Sequence, residues 1–224
     1  MKKKIKWGII STAKIAETDL IPAIKKSKNS ELVAVASRNK DKAAKFAKKN
    51  KIKKFYDSYK KICEDKDIDI IYNPLPNHLH VNSTVNAIKN DKHVLLEKPI
   101  TLKSEEVKII AQAAKKNKKI VKEAFMVRHH PQWQWVKKYI NSNKIGKVNG
   151  ITTLFSYKNL DPKNIRNIKR YGGGGLYDIG CYAIVISRYL FNKEPKKVIC
   201  EANFDKKFKT DNLTSAILDF NGVY

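Results

Sequence analysis

The sequence predicts an α/β chain: a doubly wound parallel sheet in its first half, then an incomplete α+β domain with an open, mainly antiparallel sheet. Three observations carry this. Short apolar runs alternate with helix-patterned stretches from the N-terminus to about residue 125, the signature of βαβ units. Prolines and asparagines close several of those runs abruptly, as at Asn73-Pro74 and Pro99. Beyond Phe125 the alternation stops, and a tryptophan-bearing helix, a glycine cluster and two longer strand-like runs take its place. Residues 1–125 and 126–224 are therefore expected to be separate domains.

Taken in order, Ile5–Ile10 is the first strand and Ile15–Lys26 the helix that returns from it. Leu32–Ala36 is the second strand and Asp41–Lys49 the second helix. Phe55-Tyr56 is a brief third strand, and Ile68–Tyr72 a fourth. His93–Leu96 is the fifth, stopped by Pro99. Ser104–Lys116 is a long amphipathic helix, with Ser104 expected in a capping box and Glu105 and Glu106 suited to the positive end of the helix dipole. Ile120–Phe125 is the sixth strand. Six such strands with right-handed crossovers complete a nucleotide-binding sheet. In the second half, Gln132–Ile140 is helical, Val148–Tyr157 strand-like, and a helix follows the glycines. Lys197–Phe204 and Thr214–Phe220 are strands, and Gly222-Val223-Tyr224 reads as a turn into a further strand.

Composition bounds the partners. The 224 residues are 42% hydrophobic, enough for a real core, and no run approaches the roughly 20 apolar residues of a membrane span. The basic start, Met1-Lys2-Lys3-Lys4, leads only into Ile5–Ile10, interrupted by Lys6 and without a cleavage site, so it reads as a strand and not a signal peptide. Cys63, Cys181 and Cys200 are odd in number and lack metal-type spacing, which fits reduced thiols in a cytoplasmic protein. The net charge of +26 invites a nucleic-acid reading. Yet nearly all of it is lysine, spread over helix faces such as Lys42, Lys45, Lys48 and Lys49, with five arginines in the chain. The expected partner is a small molecule, with no nucleic acid and no membrane.

The chemistry-bearing residues sit where strands end. A dinucleotide fold needs small residues at the first strand-to-helix turn so that backbone can approach a pyrophosphate at a helix N-terminus. In Gly8-Ile9-Ile10-Ser11-Thr12-Ala13-Lys14-Ile15-Ala16 the three glycine positions fall on Ser11, Ala13 and Ala16, with Thr12 and Ile15 in the same turn. After the second strand, an NAD-binding domain usually carries an acid for the ribose hydroxyls. Here Ser37 and Arg38 stand there instead; a hydroxyl and a guanidinium suit the extra phosphate of NADP, with NAD a possible substitute. Asn73-Pro74-Leu75-Pro76-Asn77-His78-Leu79-His80 and Leu96-Glu97-Lys98-Pro99 follow two buried strands at the end where open α/β sheets bind ligands. Pro76, Asn77, His80, Glu97 and Lys98 are the candidates from that pair of loops. His129 and His130 are adjacent on a helix start with no acid or cysteine cluster, so no metal site is expected.

These motifs, together with Glu123-Ala124-Phe125-Met126-Val127-Arg128 and Asp178-Ile179-Gly180-Cys181-Tyr182, resemble the Gfo/Idh/MocA family of oxidoreductases over nearly the whole chain. The likeness is to the branch holding glucose–fructose oxidoreductase, xylose dehydrogenase and dimeric dihydrodiol dehydrogenase. The resemblance implies hydride transfer between a nicotinamide and a hydroxyl-bearing carbon of a sugar or cyclic diol. It also implies Lys98 beside the reacting centre, Tyr182 as acid/base where many members have histidine, Asp178 orienting substrate or Lys98, and Arg166 reaching cofactor phosphates. Asp178 and Tyr182 are i and i+4 and so share a helix face. Tyrosine needs help to ionise near neutrality, and the Lys98 ammonium is the expected source. Gly172–Gly175 is read either as a backbone approach to ligand or as a plain loop. Family members are longer, so the chain is expected to lack its C-terminal part, with a homo-oligomer expected of the full-length form. The alternative reading is an NADP-binding module that no longer turns over.

Overall fold

The computed structural model describes residues 4–223, so the Met1–Lys3 part of the basic start and the strand expected at Tyr224 lie outside the described residues. Two compact units are present, Met1–Ala124 and Phe125–Tyr224. In the first, six strands make one sheet: β1 (Ile5–Ile10), β2 (Ser30–Ala36), β3 (Lys54–Tyr56), β4 (Ile70–Asn73), β5 (His93–Leu96) and β6 (Val121–Glu123). The order is β3-β2-β1-β4-β5-β6, and every pairing is parallel. Chain order reverses direction between β1 and β4. This is the topological switch point of a doubly wound sheet, at whose carboxyl edge ligands bind.

Alternation along the strands builds the two faces. Ile9, Val35 and Tyr72 join Ala16, Ile21, Phe46 and Ala47 in one buried cluster. Ile10, Ala34, Ala36 and Ile71 face the other, with Ile62, Ile88, Val94 and Leu96. Gly8 has no room for a side chain: an added Cβ would stand 2.9 Å from the Ile68 side chain and 3.0 Å from that of Ile71. The crossover helices are α1 (Ile21–Lys26), α2 (Lys40–Asn50), α3 (Tyr59–Glu64), α4 (His80–Lys89) and α5 (Ser104–Lys116). A wide π turn, Ala16–Leu20, follows an α-helical start at Lys14-Ile15 and precedes α1, so the first helix carries a π segment near its beginning. Asn39 caps α2 by accepting from the Lys42 amide, and Ser58 caps α3 from the Lys60 amide. Ser104 is not the cap of α5. The cap position is Lys103, whose side chain cannot accept, and only the Glu106 half of a capping box forms, taking the Lys103 amide at 3.3 Å. Ser104 Oγ instead donates to Glu105 at 2.8 Å.

The second unit holds α6 (Pro131–Asn141), a π turn over Leu176–Gly180 running into α7 (Cys181–Phe191), and the antiparallel pair β7 (Lys197–Phe204) and β8 (Asp211–Asp219). Phe125, Ile186, Leu190, Phe220 and Val223 are its buried apolar residues among those described. The strand expected at Val148–Tyr157 is not formed: residues 146–160 are irregular, and Leu154 is 91% exposed. Its β-branched residues, Ile151, Thr152 and Thr153, favour extended backbone. A strand also needs a neighbour to take its N–H and C=O groups, and none among the described residues pairs with it.

Candidate active site

Five strand ends of the first unit, those of β1, β2, β4, β5 and β6, lie along one edge of the sheet. After β1, Ser11 adopts φ 149°, a conformation L-residues rarely take, in the position where the motif prefers glycine. The helix begins at once: the Ala16 amide donates to Ala13 O at 3.1 Å, and Ala16 is fully buried. Thr12, Ala13 and Ile15 are half-buried along this turn. After β2, Ser37 is buried, its amide held by Tyr56 O at 3.0 Å and its hydroxyl accepting from the Asn39 amide at 3.2 Å, while Arg38 is exposed.

The loops after β4, β5 and β6 are tied together by buried polar groups. Asn73, fully buried, donates to Ser83 and Thr84 and accepts from the Leu75 amide at 3.2 Å. Pro76 O accepts from the Leu79 amide at 2.9 Å and sets the single 3-10 turn Asn77–Leu79. His80 is fully buried; its Nδ1 lies 2.8 Å from Pro99 O and its Nε2 2.8 Å from Leu75 O. Each ring nitrogen thus faces a carbonyl, one of them donating in whichever tautomer is present, so His80 lies braced between the two loops. Burial lowers its pKa, against the pull of the two carbonyls. Glu97 ends β5 beside Tyr72, whose hydroxyl donates to it at 2.5 Å, and the Lys98 amide donates to the same carboxylate at 3.3 Å. Burial pushes the Glu97 carboxyl above its usual value, while Tyr72 and Lys98 pull it down. The Lys98–Pro99 peptide is cis, and the Ile100 amide donates to Glu123 at 2.7 Å. Tyr72, Asn73 and Glu123 were missed from the sequence. For Asn73 and Glu123 the signal was a polar residue at the last position of a strand; Tyr72 stands one residue before the end of β4.

In the second unit Asp178 lies within the π turn, and Tyr182 follows in the first turn of α7. Asp178 Oδ2 is 2.8 Å from Arg166 Nε and accepts from the Tyr157 hydroxyl at 2.5 Å. Arg166, expected at cofactor phosphates, is therefore ion-paired with the candidate catalytic aspartate. Tyr182 packs edge-on against Phe125, centroids 5.5 Å apart, and obliquely against Phe155 at 6.2 Å. The glycine cluster is a close-packed passage. A Cβ at Gly173 would stand 2.3 Å from Arg166 O, and one at Gly174, where φ is 125°, 1.9 Å from Asp211 Oδ1. Asp211 reaches across from β8 to accept from the Leu176 amide at 2.6 Å, capping the helical segment that carries Asp178 and Tyr182. Among the described residues no His, Cys, Asp or Glu cluster could hold a metal ion, and no helix is long and apolar enough to cross a membrane.

Residues 5–125 match the oxidoreductase family with an NAD-binding Rossmann fold, and residues 133–224 match the GFO/IDH/MocA C-terminal domain. The chain belongs to the Gfo/Idh/MocA family. Relatives include trans-1,2-dihydrobenzene-1,2-diol dehydrogenase of Xenopus laevis, 33% identical over 97% of this chain and 66% of that protein. D-xylose 1-dehydrogenase (NADP(+)) 2 of Haloferax volcanii is 32% identical over 96% of this chain and 66% of its own length. Among solved structures, the 3-ketoreductase KijD10 of Actinomadura kijaniata, in complex with NADP and TDP-benzene, superposes with a TM-score of 0.93 at 28% identity, covering 99% of this chain and 68% of that one. That ketoreductase has also been solved as variants at a lysine and at a tyrosine separated by as many positions as Lys98 and Tyr182 are here. The chain spans only 65–66% of the length of the curated relatives it matches first.

Proposed function

We propose that this family member is an NADP-preferring oxidoreductase acting on a hydroxyl-bearing carbon of a sugar, such as an aldose, or of a cyclic diol. The observation that carries the cofactor half is Ser37-Arg38 after β2, where an acid would select NAD. The Ser11–Ala16 turn fits a dinucleotide: its residues are small, and the Ser11 backbone is held in a glycine-like conformation at a helix start. Ser11, Thr12, Ala13 and Ile15 would line the pyrophosphate, Ser37 and Arg38 the 2′-phosphate, and Pro76, Asn77 and Glu97 the nicotinamide side. The nicotinamide, when bound, supplies the two-electron exchange. His80 supports this set by fixing the Leu75 and Pro99 carbonyls.

The residues assigned to substrate are Lys98, Asp178 and Tyr182. Lys98 supplies a positive charge, Asp178 a fixed anion for orienting hydroxyls, and Tyr182 a proton held on its phenol oxygen. The diol and xylose dehydrogenase relatives, and the lysine–tyrosine spacing shared with the ketoreductase, support this assignment. Residues 1–125 form the cofactor domain and 126–224 part of a substrate and assembly domain, and the full-length form is a homo-oligomer. Fluorescence titration of NADP and NAD against parent and Arg38→Asp tests the cofactor half. The substitution should weaken NADP by roughly 1–3 kcal/mol, the scale of a hydrogen bond to a charged group, and improve NAD; equal NADP affinity in both proteins would overturn it. A screen of aldoses and cyclic diols for NADPH formation tests the substrate half.

A further inference from the structure

We propose that Tyr157 is a positioning residue for Asp178, fixing one carboxylate oxygen jointly with Arg166, and that Arg166 serves this clamp and not a cofactor phosphate. The inference rests on the reading of Asp178 as the group that orients substrate hydroxyls. Both groups converge on Oδ2: the Tyr157 hydroxyl donates to it at 2.5 Å, and Arg166 Nε is ion-paired with it at 2.8 Å. A hydrogen bond and an ion pair at a single oxygen fix the plane of the carboxyl as well as its place. The carboxylate is also shielded: the Asp178 side chain is 14% exposed against 45% for Arg166, so the pairing is worth more than an open surface bridge.

Each donor is rooted in its own structure. The Arg166 backbone is pinned from two sides, its carbonyl accepting from the Gly174 amide at 2.9 Å and its amide donating to Asn164 Oδ1 at 3.1 Å. Gly173 lets the chain close on it, since any Cβ there would strike Arg166 O. Tyr157 belongs to the irregular segment that follows α6. That segment is secured two residues later, where Asn167 Nδ2 donates to Asn159 O at 3.1 Å and Asp161 O at 2.9 Å. Burial and the Asp178 carboxylate push the Tyr157 phenol up to about 12. It therefore remains a donor at any working pH and does not compete with Tyr182 as a base.

The test uses the full chain and three readouts. Tyr157→Phe should lower turnover by roughly tenfold, the scale of one hydrogen bond to a charged group, with the KM for NADP unchanged. The acid limb of the pH–rate profile should move upward, because a carboxylate that loses a donor protonates more readily. In an Asp178→Asn background the same substitution should cost nothing further; an equal loss in both backgrounds, or an unmoved pH profile, would overturn the positioning role. Arg166→Met should leave NADP affinity within about twofold of the parent, whereas a salt-dependent loss of tenfold or more would return Arg166 to the phosphate. If the methionine variant does not fold, Arg166→Gln, which removes the charge but keeps a polar side chain, takes its place in the titration. Urea midpoints for the Tyr157/Asp178 pair complete the cycle and need no turnover. If no aldose or diol is oxidised, the proposed function fails, while coupling or its absence in the urea midpoints still decides the clamp.

Discussion

Asp211 and Gly174 offer the sharpest test of how the helix that carries the proposed catalytic residues Asp178 and Tyr182 is held. Asp211 accepts from the Leu176 amide at 2.6 Å and from Thr214 Oγ1 at 3.0 Å, so Asp211→Ala removes one hydrogen bond to a charged group and one weaker contact. With roughly 2 and 1 kcal/mol for these, the loss should be about 3 kcal/mol. Asp211→Asn keeps an acceptor without the charge and should lose only about 1 kcal/mol, through the weaker bond and the helix dipole. Gly174→Ala attacks the same contact from the other side. Its Cβ would lie 1.9 Å from Asp211 Oδ1 at φ 125°, so backbone strain of about 1–3 kcal/mol adds to displacement of the carboxylate. In the double variant Gly174→Ala/Asp211→Ala the clash is gone, and only the backbone strain adds to the loss of Asp211. The penalties should then fall short of their sum. Urea unfolding followed by circular dichroism reads all four proteins, with m held constant if only stability changes. A loss below about 0.5 kcal/mol for Asp211→Ala, or strict additivity in the pair, would refute the capping argument.

Three further outcomes follow from the first unit and the proposed chemistry. Ser11→Gly relieves the backbone at φ 149° and should stabilise the chain by about 1 kcal/mol after the entropy of glycine is set against the strain, read as a raised urea midpoint. Glu97 has its native pKa raised above 4.5, chiefly by burial. The native state therefore binds more protons than the unfolded state between 4.5 and that higher value, and stability falls as pH rises through this window. Glu97→Gln should flatten that slope in urea midpoints taken across it; an unchanged slope would assign the slope to other groups. Tyr182→Phe should cut turnover by roughly 10²–10⁴-fold, with Lys98→Met lowering the rate and raising the basic inflection of the pH profile. The Tyr182→Phe/Lys98→Met double variant should be little worse than Tyr182→Phe alone, and persistence of turnover in Tyr182→Phe would make that ring a packing residue against Phe125 and Phe155.

The sequence by itself determined the parallel sheet, because short apolar runs such as Ile9-Ile10, Val35-Ala36 and Ile71-Tyr72, buried on both faces, alternate with helix-patterned stretches, and strand ends are marked by Asn73-Pro74 and Pro99. It marked the carboxyl edge, Arg38 and the Glu97-Lys98 pair for the same reason: in such a sheet a residue's place on the strand fixes its place at the edge. The α4 face was hard to read because it buries His80 and Thr84 among Ala87 and Ile88, so apolar spacing is faint. Val148–Tyr157 misled because propensity is local, whereas a strand exists only with a partner. Which donor meets which acceptor was decided by tertiary structure alone. The Arg166–Asp178–Tyr157 cluster joins residues 12 and 21 positions from the aspartate, and Asp211 reaches the glycine passage from 35 positions beyond Leu176. His80 likewise lies buried between two carbonyls that belong to different loops. Such contacts depend on the distance between chain segments after folding, a quantity that local residue patterns do not encode.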